Sequence, residues 1–174
     1  TLCDLGHNPE AAELCRGILA QSEAKFDNCH IHLRTVMAVL ADALAAMGSF
    51  NESADLYQRI IECARTASAT DPVSFISSLG DGLKYFDRAG RAAEGEATAR
   101  EALAALSRFG GAHQDVAGAF ESYLAHFVSM SGRVDEAEPL FVRLLANEES
   151  LPGPTLRARL QRFYAAHLSR RGLF

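Results

Sequence analysis

The hexapeptide Gly48-Ser49-Phe50-Asn51-Glu52-Ser53 returns 42 residues later as Gly90-Arg91-Ala92-Ala93-Glu94-Gly95. It returns again as Gly132-Arg133-Val134-Asp135-Glu136-Ala137, and upstream it stands as Gly6-His7-Asn8-Pro9-Glu10-Ala11. With Gly172 the five glycines are separated by 42, 42, 42 and 40 residues, and each follows an apolar stretch at helical spacing. The pattern predicts a helix, a tight turn and a second helix, repeated. Glycine ends a helix in the left-handed conformation without a Cβ clash. The glutamate four residues on (Glu10, Glu52, Glu94, Glu136) then meets the positive end of the next helix dipole. The residue after it is small each time (Ala11, Ser53, Gly95, Ala137), so the two helices of a hairpin can cross closely.

Other offsets keep step. Cys15, Tyr57, Ala99 and Phe141 lie nine residues after the glycine. Ile18-Leu19, Ile60-Ile61, Ala102-Leu103 and Leu144-Leu145 lie twelve and thirteen after it. Leu44, Phe86, Val128 and Leu168 lie four before it. These marks predict the core-facing stripe of each helix.

The chain resembles the tetratricopeptide repeat family, which pairs Leu with a small residue on its first helix. Leu40-Ala41, Leu124-Ala125 and Tyr164-Ala165 stand at that pair, and Gly82-Leu83 reverses it. Met37, Leu79, Glu121 and Gln161 occupy the offset of the family's Trp, and Glu23, Arg65, Ser107 and Glu149 that of its helix-ending Pro. The long interval is similar to the variant in kinesin light chains and in bacterial regulators and kinases with repeat arrays. The resemblance implies an all-α fold, an α-solenoid of stacked antiparallel helical hairpins in a right-handed superhelix. It reads as one domain over 1–174: a partial repeat at 1–27, repeats at 28–69, 70–111 and 112–154, and a partial repeat at 155–174.

Helices are expected at Thr1–Leu5, Pro9–Ala24, Asn28–Met47, Asn51–Ser68, Pro72–Ala89, Ala92–Phe109, His113–Ser131, Asp135–Asn147 and Thr155–Arg170. Thr70-Asp71-Pro72 is a helix start, with a capping side chain and a first-turn proline. Gly110-Gly111 and Leu151-Pro152-Gly153-Pro154 mark turns between repeats.

A net charge of -5 argues against a general binder of nucleic acid or anionic membrane, which needs clustered Lys and Arg. No apolar run approaches the ~18–20 residues of a membrane span. The four cysteines (Cys3, Cys15, Cys29, Cys63) form no CxxC pair, and free, mostly buried thiols in a reducing cytoplasm are expected. The chain reads as a segment of a larger protein, and its Ala, Arg and Gly usage suggests a bacterial source.

The resemblance also places function. First helices of successive repeats line a concave groove, which puts Asp42, Asp81, Lys84, Tyr123, His126, Arg159, Arg162 and Phe163 on the binding surface. An acidic middle thus gives way to a basic end, suited to a ligand whose acidic end meets Arg159 and Arg162 and whose apolar anchors meet Tyr123 and Phe163. The chaperone-tail clamp of the family is disfavoured, since Ala38, Val39, Asp42, Gly80 and Asp81 stand at its offsets and Asp would repel a carboxylate. Cys29-His30-Ile31-His32 lacks the i, i+4 spacing of helical metal ligands, and neither metal nor cofactor is expected. Gly80-Asp81-Gly82 lacks a phosphate-loop arrangement and reads as a close-packing point. No nucleophile–base arrangement is legible either. The expected function is a protein–protein or protein–peptide interaction scaffold within a regulator or signalling protein, with no enzymatic activity in this segment. The other reading is a sensor that closes on a small peptide or metabolite. Partners are another protein, a peptide or a helix, and self-association through the array's ends is open.

Overall fold

A glycine follows the helices that end at residues 46, 89, 130 and 170. In the computed structural model, which describes residues 7–22, 29–109, 114–151 and 153–173, Gly48, Gly90, Gly132 and Gly172 all have positive φ, between 69° and 85°. Gly153 joins them at 75°. Gly6, Glu23, Ala24, Asn28, Gly110, Gly111, His113 and Pro152, with the expected helix at 1–5, lie outside the described residues.

Among the described residues there are eight α-helices: α1 Asn8–Ser22, α2 Ile31–Ala46, α3 Phe50–Thr66, α4 Pro72–Ala89, α5 Ala92–Phe109, α6 Gln114–Met130, α7 Val134–Ala146 and α8 Pro154–Arg170. A short 3-10 turn, Glu148–Ser150, follows α7. Among the described residues there is no strand. The bounds of α4 and α5 are those expected, and the other helices shift by one to three residues. At α4 the Asp71 carboxylate accepts from the Ser74 backbone N–H at 3.0 Å, the cap read from Thr70-Asp71-Pro72.

The chain divides into two compact units, Thr1–Ala89 and Gly90–Phe174. In the first, α2 packs on α1 and α3, and α3 on α4. In the second, α6 packs on α5, α7 and α8, and α7 also on α8. The small residues after the turns are buried, as expected: Ala11, Ser53, Gly95 and Ala137. Ser53 Oγ donates to the Ala41 carbonyl of α2 at 2.7 Å, so its one polar atom is satisfied. A Cβ on Gly95 would lie 2.3 Å from the Phe127 ring of α6. At Gly82 a Cβ would meet the Ile61 Cδ1 methyl of α3 at 2.6 Å, which is the close packing read from its sequence.

Two expectations are corrected. Ile18, assigned to the core stripe, is 39% exposed, because α1 has α2 as its one substantial neighbour among the described elements. Cys29 and Cys63, expected as free thiols, are joined in a disulfide, their Cα atoms 4.9 Å apart. Cys15 is buried on α1 and lies outside this bond. The composition argument failed because an antiparallel hairpin returns its open end to one place. Cys29 stands 19 residues before the turn at Gly48, and Cys63 stands 15 after it.

Two glycines in helices should respond in opposite directions to a methyl group. Gly95→Ala should lower stability by about 1–3 kcal/mol through overpacking against Phe127. Gly17→Ala, where nothing lies within 4 Å of the new Cβ, should raise it by about 0.5–1 kcal/mol. Leu44→Ala and Leu144→Ala, at buried positions of α2 and α7, should each cost about 2–5 kcal/mol. Urea melts followed by circular dichroism at 222 nm read all four.

Candidate functional site

The expected surface residues fall into two groups, one in each unit. In the first unit Asp42 sits exposed on α2 and accepts a hydrogen bond from the Tyr85 hydroxyl of α4. Tyr85 stacks on Tyr57 of α3, centroids 4.1 Å apart and planes 13° from parallel. Burial raises Tyr57 to about 12, and the charges of Asp81 and Asp42 add to this. Burial also drives Tyr85 far above the usual phenol range, helped by its bond to Asp42. Both hydroxyls therefore stay protonated at neutral pH, and that of Tyr85 is the donor to Asp42. Asp81 is paired with Lys84 one turn on, at 2.6 Å. Tyr57 and Tyr85 were absent from the expected set. Their signal was an aromatic nine residues past one turn glycine and another five before the next.

In the second unit α6 and α8 bring Tyr123, His126, Arg159, Arg162 and Phe163 together. The three rings are buried, with Tyr123 4%, His126 5% and Phe163 1% exposed. His126 stacks on Phe163 at 3.8 Å with planes 10° apart, and Tyr123 lies tilted against Phe163 at 5.3 Å. Above this shelf the Arg159 guanidinium lies 5.0 Å from the Tyr123 centroid, and that of Arg162 5.0 Å from the Phe163 centroid. The aromatic π-faces hold both cations in position. Arg159 is half-buried and Arg162 exposed, so solvent reaches both.

Sequence reading missed a buried polar relay beside this shelf. Ser129 Oγ of α6 lies 3.0 Å from His167 Nδ1 of α8, and His167 Nε2 lies 2.6 Å from Glu138 Oε2 of α7. Serine, histidine and carboxylate thus form a nucleophile–base–acid chain. Its setting makes it a tie between three helices. Ser129 and His167 have no exposed surface, and the Arg170 guanidinium donates to Ser129 Oγ at 3.3 Å. A substrate cannot reach that oxygen. The Arg170 donation to Ser129 and the contacts of His167 with Ser129 and Glu138 link the three side chains in one line. Arg171 also donates to Glu138 at 2.7 Å. The bond from His167 and then that from Arg171 hold the Glu138 carboxyl below its usual range. At α5 burial pushes the Glu96 carboxyl up, but hydrogen bonds from Arg133 and Arg100 outweigh it and the net shift is downward.

The remaining motif residues are placed without chemistry. His30 caps α2 and accepts from the His32 backbone N–H at 3.4 Å, and among the described residues no group of three His, Cys, Asp or Glu converges as metal ligands do. Among the described residues no helix is long and apolar enough to cross a membrane.

No family model matches the chain and no curated protein does. Its fold is similar to crystal structures of a putative kinesin light chain with nearly identical TPR-like repeats from Podosopora anserina. One, a variant form, is 18% identical with a TM-score of 0.75, covering 99% of this chain and 82% of that one. The other is 19% identical with a TM-score of 0.72 over the same shares. The fold is a tetratricopeptide-like helical repeat, as the glycine interval led one to expect.

Two titrations follow. A raised phenol pKa contributes stability that is complete below the unfolded value near 10. That contribution is lost as pH rises towards the folded value, about 12 for Tyr57. Thermal melts between pH 8 and 11 should show the loss, and Tyr85→Phe should reduce it. Glu138 has the opposite sign: its contribution is present above the unfolded carboxylate pKa, near 4.3, and is lost as pH falls through the lower folded value. Glu138→Gln should cost about 1–2 kcal/mol at pH 7 and flatten melts between pH 5 and 3.

Proposed function

We propose that this tetratricopeptide-like chain is a protein-binding module, and that the α6–α8 face of its second unit takes an acidic segment of a partner protein. The observation carrying this reading is the pair of guanidinium groups, each 5.0 Å above a buried ring. A stacked arginine presents a planar fork of N–H donors whose geometry matches a carboxylate, and the ring has already restricted its rotamers. Binding then costs less ordering than it would with two free surface side chains. The first unit offers the opposite sign at Asp42 and Asp81, each engaged by a neighbour that a basic side chain would have to displace.

In this reading the chain catalyses nothing itself and serves a larger regulatory or signalling protein. A cytoplasmic setting goes with it only if the Cys29–Cys63 bond opens and closes reversibly.

Fluorescence anisotropy with labelled twelve-residue peptides, acidic, neutral and basic, tests the proposal. Acidic peptides should bind best, more weakly with rising salt. Each of Arg159→Gln and Arg162→Gln should weaken them about tenfold, near the worth of one charge-assisted hydrogen bond. Equal binding of all three classes, or binding indifferent to both substitutions, would remove the α6–α8 face as the site.

A further inference from the structure

The α2–α3 hairpin is closed at both ends. At one end is the Gly48 turn, and at the other Cys29 is bonded to Cys63 across 34 residues of sequence. Cys29 lies in the turn just ahead of α2, one residue before its cap His30, and Cys63 lies in the last turn of α3. The first turn of α2 is largely exposed. Ile31 is 55% exposed, His32 and Thr35 are exposed, and Leu33 is the first buried side chain. Cys29 is half-buried, so a small thiol can reach its sulfur, whereas Cys63 is buried against the hairpin.

We propose that Cys29 and Cys63 form a reversible redox staple that sets the order of the first two turns of α2. In the closing step the Cys29 thiolate attacks a low-molecular-weight disulfide of the glutathione type and expels one small thiolate. Cys63, deprotonated, then attacks the Cys29 sulfur and expels the second. Two protein thiols are oxidised, two small thiols are formed, and the two protons pass to them. Opening runs the other way, with a small thiolate attacking Cys29 and releasing Cys63. Once the bond is open, the α2 start, where the buried side chains are Leu33 and Met37, has lost one restraint and local opening becomes easier. Cys15 takes no part, being buried on a different helix. The staple acts on unit 1 whatever segment the other unit binds, so its failure and that of the peptide reading are separable.

The test places the full chain in glutathione buffers spanning oxidised to reduced, followed by acid quench, alkylation, and peptide mapping by mass spectrometry. A cross-linked Cys29–Cys63 peptide should dominate at the oxidised end and vanish at the reduced end. In parallel, hydrogen exchange should accelerate at least tenfold over residues 31–38 on reduction, with α7 and α8 unchanged. The Cys29→Ser and Cys63→Ser double variant should exchange like the reduced protein in every buffer, which separates loss of the bond from an effect of the reductant. The staple is overturned as a switch if the cross-link never forms, or if it survives fully reduced glutathione. It is also overturned if residues 31–38 exchange at one rate in both states.

Discussion

The structure depends on a steric allowance at one position of each hairpin. Five residues after the turn glycine the second helix carries Ser53, Gly95 or Ala137, all buried, and its neighbour packs against that point. At Gly95 the allowance is used completely, since the Phe127 ring occupies the space a Cβ would need. Ser53 uses it differently, placing a hydroxyl on the Ala41 carbonyl across the crossing. Close helix axes bring the larger side chains into layers, and the buried Phe86, Phe127, Phe141 and Phe163 fill them.

Polar groups in such a core are tolerated only when satisfied. Glu96 is buried beside two arginines, Arg100 and Arg133, and the second of these comes from the α6–α7 turn. The Ser129–His167–Glu138 chain joins three helices through side chains that together have nearly all their hydrogen-bonding capacity used. It fixes α8 in place, and α8 carries Arg159, Arg162 and Phe163. A function in binding therefore rests on a buried tie that no ligand would touch.

The placement of the expected surface residues was only partly legible in the sequence. Asp42, Arg159 and Arg162 were expected there because repeat offsets mark the first-helix face. That Asp42 would be held by Tyr85, 43 residues away, does not follow from offsets, since the pairing needs α2, α3 and α4 at once. Tyr123 and Phe163 are the expected apolar anchors, and the fold packs both rings with His126 instead of leaving them open. What lies over the rings is the pair of arginines. The paired cysteines were illegible for another reason: a rule about chain size and redox compartment outweighed the hairpin register that places them side by side.

By itself the sequence determined the class and the punctuation of this protein. A glycine with positive φ stands where one helix gives way to the next within two or three residues, at Gly48, Gly90 and Gly132, and the near-equal glycine intervals of the sequence mark such places. A helix start is equally local, a capping oxygen and a proline within three residues. The tertiary structure alone decided which side chains meet across helices: the Cys29–Cys63 bond, the Tyr85–Asp42 pair, the arginines over their rings and the relay through His167. The physical reason is range. Backbone punctuation is set by each residue's own conformational energies, whereas these contacts depend on helix separations and rotations that arise only when the whole core has packed.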